Sequence, residues 1–206
     1  MSESANSTVD IVQLTDEVCQ HALPLLQQRL DDYGFLHSCK TAETARSLAE
    51  CYGSDPQLAY TAALLHDWDR GQAADDLLSR AADIGIEVTD EVRAAPQILH
   101  AHTGAAAIRE LFPQLPESVI TAIRHHTVGA YHMSDLDKIV YIADMIEPSR
   151  SSQPAAELRA LVAVTDLDRL FLQAYQATVL SLIRNKKVMH FHTTQVWNAL
   201  IMKGTQ

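Results

Sequence analysis

The stretch Asp55-Pro56-Gln57-Leu-Ala-Tyr-Thr-Ala-Ala-Leu-Leu-His66-Asp67 decides the reading of this chain. Asp55 is a helix N-cap and Pro56 takes the first helical position, where its missing N–H costs nothing. The residues that follow are apolar on nearly every side, which predicts a central helix rather than a surface one. That helix ends on an imidazole beside a carboxylate. Burying such a pair is costly unless each member is hydrogen-bonded, ion-paired or metal-bound.

The same puzzle recurs downstream. Asp144 lies among Ile139, Ile142, Ala143 and Ile146, on a predicted helix from Leu136 to Glu147 that Ser134 and Asp137 cap and Pro148 ends. Upstream, apolar spacing predicts helices from Val9 to about Asp32, with Pro24 as the point where it kinks or splits, and from Phe35 to Tyr52, with Gly53 as the left-handed cap. His37 falls in the first turn of the second of these. Further helices are expected at 98–112, 116–126, 155–162, 167–185 and 193–202. No period-2 alternation marks a strand, so the fold class is all-α. Residues 1–8 read as a flexible polar tail and 9–206 as a single helical domain. Within it the polar, acidic stretch 71–94 is a candidate flap of two short helices around Ile84-Gly85-Ile86.

Composition narrows the function. A chain of 206 residues with 47% hydrophobic and 20% charged residues has the material for one core. Its formal charge of −10 disfavours a general grip on nucleic acid or on an anionic membrane. The three cysteines, Cys19, Cys39 and Cys51, have neither disulfide nor zinc-knuckle spacing. With no leader-like start and no apolar run long enough to span a bilayer, a cytoplasmic protein is expected. The unusual count is ten histidines, since imidazole is both the commonest metal ligand and the proton carrier of neutral pH.

His37, His66, Asp67 and Asp144 together offer two imidazoles and two carboxylates from three apolar helices. That mixed nitrogen and oxygen set suits iron, manganese or zinc with coordination positions left open. Arg150, two residues beyond Pro148, has the fork geometry that clamps phosphate.

The order His37, His66-Asp67, Asp144 resembles that of the HD-domain metal-dependent phosphohydrolases, an all-helical superfamily. Five further runs sharpen the likeness: Leu65-His66-Asp67, Leu99-His100 with Gly104-Ala105, Arg124-His125-His126-Thr127 with Gly129, Met133-Ser134 with Leu136 and Lys138, and Tyr141-Ile-Ala-Asp-Met-Ile-Glu-Pro-Ser-Arg150. These are similar to bacterial symmetrical bis(5'-nucleosyl)-tetraphosphatases of the YqeK type, over about Phe35 to Asn198. The resemblance implies an HD-domain helical bundle that hydrolyses diadenosine tetraphosphate and related dinucleoside polyphosphates to two ADP. It implies a mono- or dinuclear iron centre held by His37, His66, Asp67 and Asp144, with manganese as a substitute. Asp67 and Asp144 would act in catalysis with His100 and His126. The substrate side would comprise His37, Arg70, His100, His126, Arg150 and His190. A homodimer is compatible with it.

The chain departs from the family pattern at several positions: Gly34 stands where arginine is usual, Arg70 where lysine is, Asp69 where a small residue is, and Phe191-His192 where Pro-Asp is. Asp69 is read as an added negative charge beside the site. The rival functions are another nucleotide as substrate, or a nucleotide-sensing module without turnover.

Overall fold

The computed structural model describes residues 11–204, and within them it is helical with no strand. The helices are α1 (Ile11–Arg29), α2 (Asp32–Tyr52), α3 (Pro56–Leu65), α4 (Ala74–Asp83), α5 (Asp90–Ala94), α6 (His100–Leu111), α7 (Glu117–His125), α8 (Asp135–Ile146), α9 (Gln153–Leu161), α10 (Leu167–Arg184) and α11 (Phe191–Gly204). Residues 1–8, read as a tail, lie outside the described part. Among the described residues no helix is long and apolar enough to cross a membrane.

The central helix is the expected one. Ala59, Ala62, Ala63, Leu64 and Leu65 of α3 have no exposed surface, and α3 packs against α1, α2, α7 and α8. Small side chains bring the backbones together: Ala42, Ala45 and Ala49 of α2 are as fully enclosed as the alanines of α3. Two helices made this way approach closely, so polar heads at their ends fall within reach of one another. Asp55 caps α3 through the N–H groups of Gln57 and Leu58, and Gly53 closes α2 at φ +73°, its N–H donating to Ala49 O. At the head of α8 the Ser134 and Asp137 capping box is complete.

Several details differ from the sequence reading, among them the start of α9 at Gln153 and not Ala155. α2 begins three residues earlier than Phe35, because the Asp31 carboxylate accepts the Gly34 N–H at 2.7 Å and caps the helix. His37 therefore sits in the second turn. Pro24 does not split α1, which runs through it to Arg29. The segment expected from Ile98 starts as a 3-10 turn, Pro96–Leu99, before α6 begins at His100. α11 begins at Phe191, not Thr193. The segment read as a flap folds into α4 and α5, which pack on that 3-10 turn, with α4 also against α6, around a small core of Leu77, Ala81, Val92 and Leu99.

Candidate metal centre

The ends of α3, α6 and α7 and the last turn of α8 converge where α2 passes over them, and the polar residues they carry are buried, Asp144 of α8 only partly. His37, His66, Asp67, His100 and His126 are each at most 7% exposed. Asp67 stands at the centre. Its Oδ2 lies 3.4 Å from His66 Nε2 and 3.8 Å from His37 Nε2, and its Oδ1 lies 3.0 Å from His100 Nε2 and 3.6 Å from His126 Nε2. Asp144 Oδ1 closes the first half at 2.9 Å from His37 Nε2 and 3.9 Å from His66 Nε2. The described residues thus hold two metal-sized groups, His37 with His66 and Asp67, and His100 with His126 and Asp67, that share one carboxylate.

The second contacts of the imidazoles decide what their inner nitrogens can do. His66 Nδ1 donates to Ala63 O at 2.6 Å, His126 Nδ1 to Ile123 O at 2.7 Å, and His100 Nδ1 to Gln97 O. In each case the histidine sits at a helix end and bonds a carbonyl three residues back. His37 Nδ1 donates to Glu147 Oε1 at 3.1 Å. A proton on Nδ1 leaves Nε2 as a lone pair, which is how metal-ligating histidines are oriented. His66 Nε2 is buried with no hydrogen-bond partner. Nitrogens His100 Nε2 and His126 Nε2 face each other at 3.0 Å. The residues present fit a divalent cation, with inward-facing imidazole nitrogens and two carboxylates; the Arg150 guanidinium, whose Nη2 lies 2.6 Å from Asp144 Oδ1 and 3.3 Å from His37 Nε2, is the group that would give way to an ion.

The electrostatics point the same way. Burial opposes charge on His66, yet the carboxylates of Asp67 and Asp144 outweigh it and push the imidazole up to about 9. Burial and the neighbouring His66 and His100 charges push His126 down to about 4, against the bond to Asp67. Asp67 and Asp144 resist desolvation because of these imidazoles, and both carboxyls are held well below the usual range. The pocket selects positive charge, and one proton on His66 supplies it when nothing else does.

A cleft of 160 Å³ opens onto this cluster, lined by Asp67, Arg70, His100, His126, Asp144 and Arg150 among others. Arg150 donates through Nη2 to Asp144 Oδ1 at 2.6 Å and through Nε to Asp144 O at 2.9 Å. Thr127 and Thr178 add hydroxyls to the lining. The larger hollow of 450 Å³ beside Met133, Phe171 and Leu200 carries none of the clustered groups.

Of the residues singled out in the sequence, Asp67, Asp144, His100, His126, Arg70 and Arg150 line the cleft, and His37 and His66 lie behind it against Asp67 and Asp144. His190 does not line it; its Nδ1 accepts the His192 N–H at the start of α11. Asp69 is no site charge either. It is 2% exposed and paired at 2.6 Å with Arg29 of α1, whose Nε also donates to Trp68 O. The residue that the sequence reading misses is Glu147. It is fully buried, accepts from Ser149 N at 2.7 Å and from the Ser149 hydroxyl, and those bonds outweigh burial to hold its carboxyl below the usual range. Its signal is an acid at the C-terminal end of an apolar helix, where the helix dipole disfavours it.

Residues 34–149 match the HD domain family. The chain is 31% identical over 182 residues to a symmetrical bis(5'-nucleosyl)-tetraphosphatase of Halalkalibacterium halodurans, covering 88% of this chain and 96% of that protein. It is 29% identical over 184 residues to the protein of the same name from Bacillus subtilis, covering 88% and 97%. Its fold is similar to the crystal structure of an HD superfamily hydrolase described as involved in NAD metabolism from Clostridium acetobutylicum. The TM-score is 0.79 at 29% identity, over 94% of this chain and 98% of that one.

Proposed function

Because this chain belongs to the HD-domain family, and is a metal-dependent phosphohydrolase of the kind its relatives are named for, we propose that it hydrolyses diadenosine tetraphosphate symmetrically to two ADP. The observation that carries the reading is the shared Asp67: two groups of residues able to hold a metal ion include it, and the cleft it lines with Asp144, His100 and His126 also carries Arg70 and Arg150.

We assign His37, His66, Asp67 and Asp144 to one ion, and Asp67, His100 and His126 to a second. The reading is therefore dinuclear, with His100 and His126 moved from the substrate side to the metal side. Iron is the proposed ion and manganese its substitute, in keeping with the mixed imidazole and carboxylate donors. A divalent cation held there supplies Lewis acidity, drawing the pKa of water toward neutrality and neutralising phosphate oxygens.

The chain's own groups do the rest. Arg150 and Arg70 bind the polyphosphate, Arg150 bidentately through its fork. Asp67 and Asp144, both held ionised, would ligate the ions and accept hydrogen bonds from the attacking water. Glu147 locks the tautomer of His37. The buried walls of α3 and α8 keep the carboxylates out of bulk water, where their fields would be screened. In the net reaction one water adds to a β-phosphorus, the central phosphoanhydride bond breaks, and ADP departs from each side. The cytoplasmic setting fits the free thiols of Cys19, Cys39 and Cys51.

The test is anaerobically purified protein loaded with iron or manganese, incubated with diadenosine tetraphosphate, with products resolved by chromatography. Two ADP, lost on chelation, is the expected result. ATP plus AMP overturns the symmetrical reading, and intact substrate with metal bound moves the assignment to another nucleotide or to a sensing module.

A further inference from the structure

Arg159 lies in α9, beyond the segment that matches the family, and points back at the turn that leaves α8. Its guanidinium makes three hydrogen bonds to main-chain oxygens of that turn: Nε to Ile146 O at 2.7 Å, and Nη2 to Glu147 O at 2.7 Å and to Arg150 O at 2.6 Å. Ile146 O is one of the carbonyls that α8 leaves without a helical partner where Pro148 stops it, Glu147 O accepts from Arg150 N as well, and Arg150 O lies beyond the helix. Water is the usual substitute. A single planar fork instead ties the last residue of α8, its cap and the residue three beyond it into one rigid unit.

That unit carries two side chains of the site in opposite directions. Glu147 turns inward to His37 Nδ1, and Arg150 folds back over Asp144. Both groups sit on a five-residue turn, Ile146 to Arg150, with no regular backbone pairing beyond Glu147 N to Ala143 O and Arg150 N to Glu147 O. A shift of this turn would move the acceptor that fixes the His37 tautomer and the guanidinium that competes for Asp144. We propose that Arg159 is a positioning residue for the metal centre, acting through the carbonyls of 146, 147 and 150 and touching neither metal nor substrate. The inference rests on the metal reading of the site, but not on the identity of the substrate.

Lysine at this position keeps the charge near the C-terminal end of α8 but offers one ammonium in place of the fork, so it holds one carbonyl well and not three. Arg159→Ala and Arg159→Lys are titrated with manganese(II), free ion being read by electron paramagnetic resonance, beside the thermal melting of the metal-free proteins. The expected result is manganese affinity for one of the two ions weakened about 10- to 100-fold in Arg159→Ala, the range seen when an outer partner of a metal ligand is lost. Arg159→Lys falls between it and wild type, and added guanidinium ion at millimolar concentration restores part of the Arg159→Ala loss. In the activity assay kcat drops with KM changed less than about threefold.

If Arg159→Ala does not fold, Arg159→Lys carries the test alone. Folded variants that bind manganese as wild type does overturn the proposal, whatever their melting points, because a purely structural arginine would lower stability without moving affinity. A wild type that binds manganese but does not cleave diadenosine tetraphosphate removes the substrate and leaves this inference standing. A wild type that binds no divalent ion overturns both.

Discussion

His100 Nε2 and His126 Nε2 face each other at 3.0 Å, although both rings have already given their Nδ1 proton to a backbone carbonyl one turn back. Two lone pairs at that distance repel. Thr127 Oγ1 lies 3.0 Å from His126 Nε2 and 3.5 Å from His100 Nε2, but its hydroxyl has one proton to give the two of them. The carboxylate of Asp67, 3.0 Å from His100 Nε2, adds negative charge to the same point. A cation between the groups would offset that repulsion. Replacing His126 by alanine should accordingly lower the manganese bound per chain from about two to about one, while the His37, His66 and Asp144 side still fills. Elemental analysis after gel filtration checks it, and two equivalents in His126→Ala would sink the dinuclear reading.

Chelation should cost stability as well as activity. A ligand at 100 times its dissociation constant adds about 2.7 kcal/mol to the folded state. For a domain of this size each kcal/mol moves the melting point by roughly 2–4 °C. A fall of about 5–10 °C on treatment with chelator, restored by manganese, is expected by calorimetry. A melting point indifferent to chelator contradicts a metal centre that ties α2, α3, α6, α7 and α8 together.

Asp67→Asn tests the shared carboxylate. The amide keeps the volume and one acceptor but removes the charge that holds two groups of imidazoles. Both ions should be lost, and hydrolysis should fall on the order of 1,000-fold, since several kcal/mol of charge stabilisation go with them. An Asp67→Asn variant with one ion bound and near-normal turnover would show that Asp67 does not bridge.

Glu147→Gln separates the tautomer lock from the ligands themselves. Glutamine still accepts from Ser149, yet it no longer draws the His37 Nδ1 proton as a carboxylate does. Metal affinity at the His37 side should weaken about 10- to 100-fold, with the His100 and His126 side unchanged. Equal affinity by manganese titration would mean that His37 is oriented by the packing of α2 alone.

What the sequence discloses is local. His66-Asp67 after an enclosed apolar run, and Asp144 within another, announce themselves because burying them unpaired costs so much. Partners far away in the chain are not legible. Asp69 reads as a site charge because Arg29, forty residues earlier, is invisible as its partner until α1 is packed on α3. Glu147 escapes notice because the imidazole it serves lies 110 residues away. Nor does the spacing of His100 and His126 tell that each ring is oriented by its own i−3 carbonyl. Gly34 reads only as a departure from the family's arginine, whereas its N–H takes the Asp31 cap, and a Cβ there would meet Asp31 Oδ1 at 3.1 Å.

The metal-free protein should be most stable near pH 6.5, because two sets of histidines titrate in opposite senses on either side of it. His102 is pushed down to about 4, first by burial and then by the charges of Arg124, His125, His190 and His192. Its Nδ1 is buried with no partner among the described residues. The unfolded chain binds a proton at about 6.5, so between pH 6.5 and 4 it holds more protons than the folded one, and stability falls as the pH drops. The cost from His102 approaches about 3 kcal/mol below pH 4, and His126, also pushed down to about 4, adds in the same window. His66 works the other way. Its folded-state pKa is raised to about 9, so its contribution is complete below 6.5 and is lost as the pH rises toward 9. Denaturant midpoints of the metal-free protein between pH 4.5 and 9 should trace a dome. His102→Gln, neutral throughout, should flatten its acid side and leave the alkaline side alone; an unchanged acid limb would show that His102 is solvated in solution and free to charge.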